Sequence, residues 1–498
     1  MFVDQMNLSL AIPEIALALF ACAFLIADSV TKGRILPMLH NIVVLFCIGL
    51  GVYCLAQVPT AGTELAFTNM YIADSMALVL KGFSALAIAF TLIVGANYAK
   101  DRDMFKGELH ALVLFALLGQ MIMISANNLL LVYLGVELLS LSLYAAVAMQ
   151  RDNVRATEAS MKYFVLGALA SGFLLYGMSM IYGATGSLNH SDIAFAATAA
   201  VSGQKSIIFV FGIVFLVAGL AFKLGVVPFH MWVPDVYQGS PSISTLLISG
   251  APKLAAFAMM MRLLVDGLFV MAFDWQNMLM VLAIASLAIG NLTAIAQTSL
   301  KRMLAYSTIA QMGFMLLGFL SGVSGQGAGQ DTGNAAQAYS SAMFYSITYV
   351  LTTLGTFGVI MVMSRKGFEV ENISDLKGLN KRAPWLALIM LLLMFSLAGI
   401  PPMVGFAAKL SVLKALLATG QVWLTVYAVM FSLVGAFYYI RIVKTMYFEA
   451  PADETEIVMG NDARAVLGLN GLAVIALGLL PAPLMAYCMT AIQQTLAG

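Results

Sequence analysis

The chain has 498 residues, of which 61% are hydrophobic and only 10% are charged. An ordinary soluble domain carries about 25% charged residues, so this composition excludes a soluble enzyme. The 25 Lys and Arg residues nearly balance the 24 Asp and Glu residues, which excludes a basic nucleic-acid-binding protein. The sequence contains no polar low-complexity tract of the kind that is typical of disordered proteins. The remaining class is an all-α polytopic membrane protein.

Fourteen apolar segments, each suited to the roughly 20 residues of a transmembrane helix, follow one another along the chain. We number them spans 1 to 14 and predict them at 8–28, 38–56, 74–97, 109–125, 129–149, 157–183, 206–228, 243–266, 276–298, 303–321, 339–363, 385–417, 422–446 and 466–490. Span 12 is too long for one straight helix and contains Gly399-Ile400-Pro401-Pro402, so we predict a break there. The loops are too short for a second domain, and residues 1–498 are predicted to form a single membrane domain. No basic region precedes span 1, so no cleaved signal peptide is expected.

The cysteines give no sign of a cofactor. All four lie inside apolar segments and none forms a CxxC pair: Cys22, Cys47, Cys54 and Cys488. We interpret them as small hydrophobic residues. No motif indicates zinc, haem, an iron–sulfur cluster or a nucleotide, so no cofactor or metal is expected in this chain.

The orientation follows from the basic residues in the loops. Fifteen lie in loops that follow odd-numbered spans: Lys32, Arg34, Lys100, Arg102, Lys106, Arg151, Arg155, Lys301, Arg302, Arg365, Lys366, Lys377, Lys381, Arg382 and Arg464. The opposite loops carry only Lys205. Basic loops stay in the cytoplasm, so both termini are predicted to lie on the periplasmic side.

Two similar motifs predict an internal repeat. Span 7 ends in Gly225-Val226-Val227-Pro228, and span 12 contains Gly399-Ile400-Pro401-Pro402. Five spans separate the motifs, and an odd offset inverts the second copy, as in inverted-repeat transporters with broken helices. We predict that spans 7 and 12 of this chain are broken in this way. We therefore predict spans 1–3 at 1–100, repeat one (spans 4–8) at 105–267, repeat two (spans 9–13) at 274–447 and span 14 at 466–490.

Ionisable side chains deep inside apolar spans are the main functional candidates, because a charge at a helix centre costs about 2.5–3.5 kcal/mol. Glu137 lies roughly 18 Å along span 5 from its cytoplasmic end, too far for its carboxylate to reach water. Lys223 precedes the break in span 7, Lys253 lies near the middle of span 8, and Lys409 follows the break in span 12. The alternatives are that Glu137 fixes helix packing by pairing with a lysine, and that the lysines extend to the surface.

Further candidates have weaker positions. Lys162 is nearer to the cytoplasmic end of span 6, where extension to the surface is an alternative. His230 follows the break in span 7 and can extend a proton pathway towards the cytoplasm, or is an interfacial loop histidine. Lys81 is expected to extend to the outer surface. The same interpretation applies to four charged residues near span ends: Arg262, Lys414, Arg441 and Lys444. The other histidines give no indication of a function: His40, His110 and His190.

The charges of the candidates point to proton exchange. With Lys162, Lys223, Lys253 and Lys409 all ionised, one carboxylate, Glu137, would leave a net charge of +3 in the interior. Desolvation and repulsion between like charges both favour neutral amines. Groups that each hold or release a proton can form a relay. Broken helices also require water or side chains to satisfy their backbone, which predicts a hydrated interior.

Three longer motifs resemble those of the antiporter-like subunits of respiratory complex I. They are 222–241 (FKLGVVPFHMWVPDVYQGSP), the pair 291–297 (NLTAIAQ) and 301–313 (KRMLAYSTIAQMG), and 399–406 (GIPPMVGF). The resemblance covers nearly the whole chain. Within the family it is most similar to the subunit N branch of bacterial NADH:quinone oxidoreductase. The supporting features are the Asp-Val-Tyr-Gln-Gly form of 235–239, Lys162, Lys409 in span 12, and no long lateral helix after span 14.

This resemblance implies a translocase subunit that moves protons through Glu137, Lys162, Lys223, Lys253 and Lys409. It implies that NADH, FMN, iron–sulfur clusters and quinone bind partner subunits. The implied partners are neighbouring antiporter-like and small membrane subunits in the bacterial inner membrane. The repeat match is imperfect: span 10 has no glutamate to mirror Glu137, and Lys409 follows its break whereas Lys223 precedes its own. The alternatives are a subunit of a multisubunit sodium/proton antiporter and a structural scaffold without transport.

Overall fold

The structure, a computed structural model, describes residues 6–497 apart from 61, 203–206, 325–332, 452–454, 456 and 458. Lys205 lies outside the described residues. Within them, 13 helices are long and apolar enough to cross a membrane. This confirms the predicted all-α polytopic membrane protein, while the count of fourteen spans and the inverted repeats stay predictions.

Ten of the predicted spans correspond to uninterrupted helices. Spans 1 to 6 are Ile12–Thr31, Leu36–Gln57, Ser75–Asp101, Gly107–Ile124, Leu129–Val147 and Val154–Thr185. Spans 9, 10, 11 and 13 are Ala272–Ile295, Leu300–Leu320, Ala335–Met363 and Val422–Phe448. Side chains that accept a backbone N–H begin four of them, as expected for N-caps: Asp74 for span 3, Asn128 for span 5, Asn153 for span 6 and Ser299 for span 10.

The other four predicted spans are each divided into two helices, which we call a and b. Spans 7a and 7b are Ile207–Leu224 and Trp232–Gly239, spans 8a and 8b are Ser242–Ser249 and Pro252–Met260, spans 12a and 12b are Pro384–Ala398 and Val404–Ala418, and spans 14a and 14b are Asn461–Leu479 and Ala482–Ala497. Span 8b continues into a π turn, Met261–Asp266. The break in span 12 was predicted, and that in span 7 comes at Leu224, before Pro228.

The breaks in spans 8 and 14 were not predicted. A span at Ser242–Asp266 agrees with the predicted 243–266, but neither this span nor the one predicted at 466–490 is a single continuous helix. Span 8a ends at Ser249 and Pro252 starts span 8b. Span 14a ends before Leu480, and Pro481 precedes span 14b. A proline has no N–H to donate to the preceding turn, which accounts for both interruptions.

Small elements lie outside the spans on the side where span 3 begins. An antiparallel hairpin pairs Glu64–Ala66 with Tyr71–Ala73. The helix His190–Ser202 follows span 6, and Asn189 before it bridges to Asn128 at the start of span 5. These elements cover the ends of spans 3 to 5.

The core is formed by spans 8, 10 and 11, most of whose residues are buried, whereas spans 1, 6, 13 and 14 form the perimeter. Two cations expected near the surface are instead buried. Lys81 is 1% exposed and lies 2.6 Å from Glu14, and Arg262 is fully buried against Asp74. Their predicted extension to the surface is wrong because the packing of spans 1 and 3 brings the carboxylates of Glu14 and Asp74 to them.

Candidate functional site

Spans 7a and 12a end with the same backbone geometry. Gly225 (φ 76°) and Gly399 (φ 84°) adopt the left-handed conformation directly after the last helical residue. The next N–H bonds five residues back, from Val226 to the Ala221 carbonyl at 3.0 Å and from Ile400 to the Phe395 carbonyl at 2.9 Å. This is the Schellman motif, and it leaves the final carbonyls of each half-helix pointing into the protein.

Lys253 binds the carbonyl end of span 7a. Its Nζ donates to the carbonyl oxygens of Leu224 at 2.9 Å and Lys223 at 3.4 Å. The ammonium group also lies 5.8 Å from the centre of the Trp232 ring, and the residue is 1% exposed. A cation at a helix C-terminus is stabilised by the helix dipole. The break in span 7 therefore supplies the binding site for the Lys253 ammonium group.

Lys409 binds the carbonyl end of span 12a in the same way. Its Nζ donates to the carbonyls of Leu397 and Ala398, each at 3.0 Å, and to Ser432 Oγ at 2.9 Å. The residue is 7% exposed, and Phe314 lies under the ammonium group. By contacts, Lys409 is thus the counterpart of Lys253 and not of Lys223. This explains why Lys409 follows its break in the sequence whereas Lys223 precedes its own.

Glu137 and Lys223 lie near one another, and Lys223 is bound by Ser140. Lys223, half-buried near the end of span 7a, donates from Nζ to Ser140 Oγ. Ser140 follows Glu137 by one turn of span 5. The buried Glu137 Oε1 has no hydrogen-bond partner among the described residues, and the Glu137 charge acts on Lys223 without a direct ion pair. The two residues are therefore electrostatic neighbours, and the described hydrogen bond of the Lys223 ammonium group is to Ser140 and not to Glu137.

Lys162 is not buried with the other lysines. Its side chain is 42% exposed and forms ion pairs with Glu158 at 2.8 Å and Asp235 at 3.0 Å. Asp235, on span 7b, also pairs with Arg302 at 2.6 Å. The expectation that Lys162 is buried is wrong because span 6 starts at Val154, which leaves Lys162 about two turns from the helix end.

His230 lies in the turn between spans 7a and 7b. The residue is 9% exposed, and its Nδ1 is buried without a hydrogen-bond partner among the described residues. The histidine is therefore internal and not an exposed loop residue. Nothing joins it directly to the Lys253 ammonium group.

Sequence reasoning missed a network of hydroxyl and amide groups beside Lys409. Gln311 Nε2 donates to the Leu397 carbonyl and to Tyr439 Oη, each at 3.0 Å, and Tyr345 donates to Gln311 Oε1. A cavity of about 20 Å³ lies between Gln311, Tyr345 and Lys409. That volume is enough for one water molecule.

A sequence signal for this network exists. Hydroxyl residues recur at helical spacing on span 11, and all of them are buried: Tyr345, Thr348, Tyr349, Thr352 and Thr356. Spacings of three and four residues place them on one face of the helix. In a chain so apolar, a hydroxylated face predicts a polar interior.

Known proteins resemble the chain throughout its length. The profile of the family described as NADH:quinone oxidoreductase/Mrp antiporter, TM, matches residues 126–435. The NADH-quinone oxidoreductase subunit N of Herminiimonas arsenicoxydans is 56% identical, covering 99% of this chain and 100% of the relative.

Solved structures agree. A chain of respiratory complex I from Thermus thermophilus superposes with a TM-score of 0.78 at 30% identity, covering 95% of this chain and 98% of that chain. A chain of the Mrp complex from Dietzia sp. DQ12-45-1b shares the fold, with a TM-score of 0.82 at 22% identity over 98% of this chain and 97% of that chain. The chain therefore belongs to the NADH-quinone oxidoreductase subunit N family, a branch of the NADH:quinone oxidoreductase/Mrp antiporter membrane proteins.

Proposed function

We propose that this chain is the proton-translocating membrane subunit of a bacterial NADH-quinone oxidoreductase. The observation that carries the proposal is the environment of Lys253 and Lys409. Each ammonium group is buried at the carbonyl end of a broken helix, with no ion-pairing carboxylate among the described residues. A buried lysine bound only by neutral groups has a charge that depends closely on its surroundings.

The contacts of Lys253 couple its charge to that of Lys223. Lys253 binds the carbonyl of Lys223 itself, so the two ammonium groups lie on the same end of span 7a. When both are charged they repel each other, and a proton on Lys223 favours loss of a proton from Lys253. The negative charge of Glu137 favours the charged form of Lys223, although no hydrogen bond joins the two side chains among the described residues. A change in Glu137 therefore alters the proton affinity of Lys253.

The proposed path continues from Lys253 through the polar interior to Lys409. The cavity and hydroxyl network around Gln311 and Tyr345 supply groups that can pass protons to or from Lys409. Lys162, paired with Asp235 on span 7b, and His230, in the span 7 turn, are proposed as groups on the cytoplasmic side. These roles extend the predicted relay to every candidate residue.

The chemistry of electron transfer is assigned to partner subunits. We infer that NADH, FMN, iron–sulfur clusters and quinone bind there, that this chain has no redox site, and that it acts as part of a translocase. Its partners would be the neighbouring antiporter-like and small membrane subunits. We place it in the bacterial inner membrane with both termini periplasmic, as the fifteen basic loop residues favour.

The alternative, a subunit of a sodium/proton antiporter, has less support. The likeness to the Mrp chain concerns the fold, whereas the subunit N relative shares 56% of its residues over nearly the full chain. Purification in mild detergent separates the two proposals. Co-purification with NADH:quinone activity supports the first, and cation exchange by a complex without NADH oxidation supports the second.

A substitution of Lys253 tests the mechanism. Lys253→Arg keeps a positive charge but removes accessible titration, because arginine stays protonated in proteins. We expect Lys253→Arg and Lys253→Ala both to lose most NADH-driven proton uptake in reconstituted vesicles. Lys414→Arg, at an exposed position of span 12b, is the matched control and should pump normally. Wild-type pumping by Lys253→Arg would refute a proton-exchanging role for Lys253.

A further inference from the structure

A charged cluster lies at the end of span 8 remote from Lys253. Arg262, on the π turn, is fully buried between Asp74 Oδ1 at 2.8 Å and Asp266 Oδ2 at 3.0 Å. The groups around it form what we call the outer cluster: Asp74, His190, Arg262, Asp266 and Tyr339. Span 3 begins beside Asp74 and ends near the basic Arg102, so the cluster lies on the membrane side opposite the basic loops.

The two carboxylates of the outer cluster are not equivalent. Asp74 is fully buried and also accepts the Ala77 N–H and the Thr495 hydroxyl, each at 2.8 Å. These bonds hold Asp74 as the permanent anionic partner of Arg262. Asp266 is 21% exposed, and its described ion pair is with Arg262 alone. Because Asp74 already neutralises Arg262, Asp266 can gain or lose a proton without breaking that pair.

Two unpartnered groups border Asp266. His190 is 1% exposed, and neither ring nitrogen has a hydrogen-bond partner among the described residues. Its ring lies against Gly267, the residue after Asp266. Tyr339 on span 11 is fully buried with an unpartnered hydroxyl, and it lies within electrostatic range of Asp266. Buried polar groups in native proteins are nearly always satisfied, so these two unpartnered groups imply a function at this position.

The outer cluster is separate from the Lys253 site. Asp266 lies thirteen positions after Lys253 in span 8, which places the two residues roughly 20 Å apart at the α-helical rise. The side chains between them are buried and mostly apolar, including Phe257 and Leu264. The charged groups that face Asp266 come from span 3 (Asp74) and span 8 (Arg262), with His190 and Tyr339 as neutral neighbours.

We propose that Asp266, assisted by His190, is a proton-exchanging carboxyl group through which protons that have followed the proposed path leave the protein on the outer side. The direction of transfer rests on the proposed function, whereas proton exchange at Asp266 does not. A carboxyl group that is partly exposed beside a buried imidazole can pass a proton between the interior and water.

Variants of the assembled complex test the role in transport. Asp266→Asn keeps an oxygen for Arg262 but cannot exchange a proton; we expect it to stay in the purified complex and lose most of the NADH-driven pH gradient. Asp266→Glu should retain the gradient. Asp74→Asn is the matched control. It removes the main anionic partner of the buried Arg262 guanidinium, so it should instead reduce the amount of chain in the complex. A full gradient with Asp266→Asn would overturn the proposal.

Chemical labelling of the wild-type complex tests exchange without relying on pumping or on a variant that folds. Dicyclohexylcarbodiimide modifies protonated carboxyl groups, and peptide mass spectrometry locates the product. In labelling reactions run from about pH 5 to pH 8, we expect modification of Asp266 that declines as the pH rises, and none at Asp74. Absence of label at Asp266 throughout that range would overturn the proposal. A complex that labels at Asp266 but does not pump protons would instead refute the proposed function and leave the exchange intact.

Discussion

Glu369 joins three spans at the edge of the bundle where span 3 ends, and its loss should destabilise the protein measurably. Its carboxylate pairs with Lys301 at 2.8 Å and with Arg102, and it accepts the hydroxyls of Tyr98 at 3.0 Å and Ser242 at 2.6 Å. Burial alone would raise the pKa of Glu369, but the charges of Lys301 and Arg102 lower it to about 2 from an ordinary 4.5.

The magnitude follows from this difference in pKa. At 1.36 kcal/mol for each pH unit, the ionised Glu369 contributes about 3 kcal/mol to stability at neutral pH. Because the folded-state pKa is the lower one, the contribution is present above about pH 4.5 and is lost as the pH falls towards about 2. Glu369→Gln removes it and leaves Lys301 and Arg102 without their shared anion, so a loss of about 3 kcal/mol is expected.

The thermal stability of the purified complex is the assay, followed as loss of the monodisperse protein on heating. Glu371→Gln is the matched control, two residues away, because its partner Arg155 is 74% exposed and such pairs contribute about 0–1 kcal/mol. At pH 7 we expect Glu369→Gln to lower the midpoint temperature of thermal unfolding clearly more than Glu371→Gln does. At pH 4 the difference in midpoint between Glu369→Gln and wild type should be smaller. Equal midpoints for the two variants, or a gap that widens in acid, would refute the reasoning.

Two further predictions concern the transport site. Glu137→Ala and Lys223→Ala should each impair pumping while the chain stays in the membrane, and vesicle assays with quantified protein check this. Normal pumping by both variants would exclude Glu137 and Lys223 from the relay. Failure of the variants to accumulate would favour a packing role. Gly399→Ala should lower pumping, because its Cβ would lie 2.9 Å from Lys409 Cδ, in addition to the strain of about 1–2 kcal/mol from a positive φ. Gly420→Ala shares that φ strain (77°) but has open space around its Cβ, so it should pump normally, and equal losses in the two variants would contradict displacement of Lys409 as the cause.

Much of the architecture could be predicted because it depends on local properties of the chain. Apolar length determines where a helix can cross a bilayer, and the motif at 399–402 predicted the break in span 12. The expense of a buried charge was enough to single out Lys253 and Lys409, both of which are buried. The breaks at Gly250 and Pro481 were missed because proline and glycine are common in membrane helices, and a continuous apolar segment masks them.

Contacts between distant segments could not be predicted in this way. The sequence alone determined the membrane class, the helical spans and the residues whose charge is costly. Only the tertiary structure decided the partner of each buried charge. Lys81 pairs with Glu14 of span 1, 67 residues earlier, and Arg262 pairs with Asp74 at the start of span 3. The same holds for Lys409, which binds span 12a as Lys253 binds span 7a although the two occupy different positions relative to their breaks. Hydropathy is a sum over neighbours in the chain, whereas the partner of a buried charge is set by how helices pack, and packing brings together residues that no sequence spacing relates.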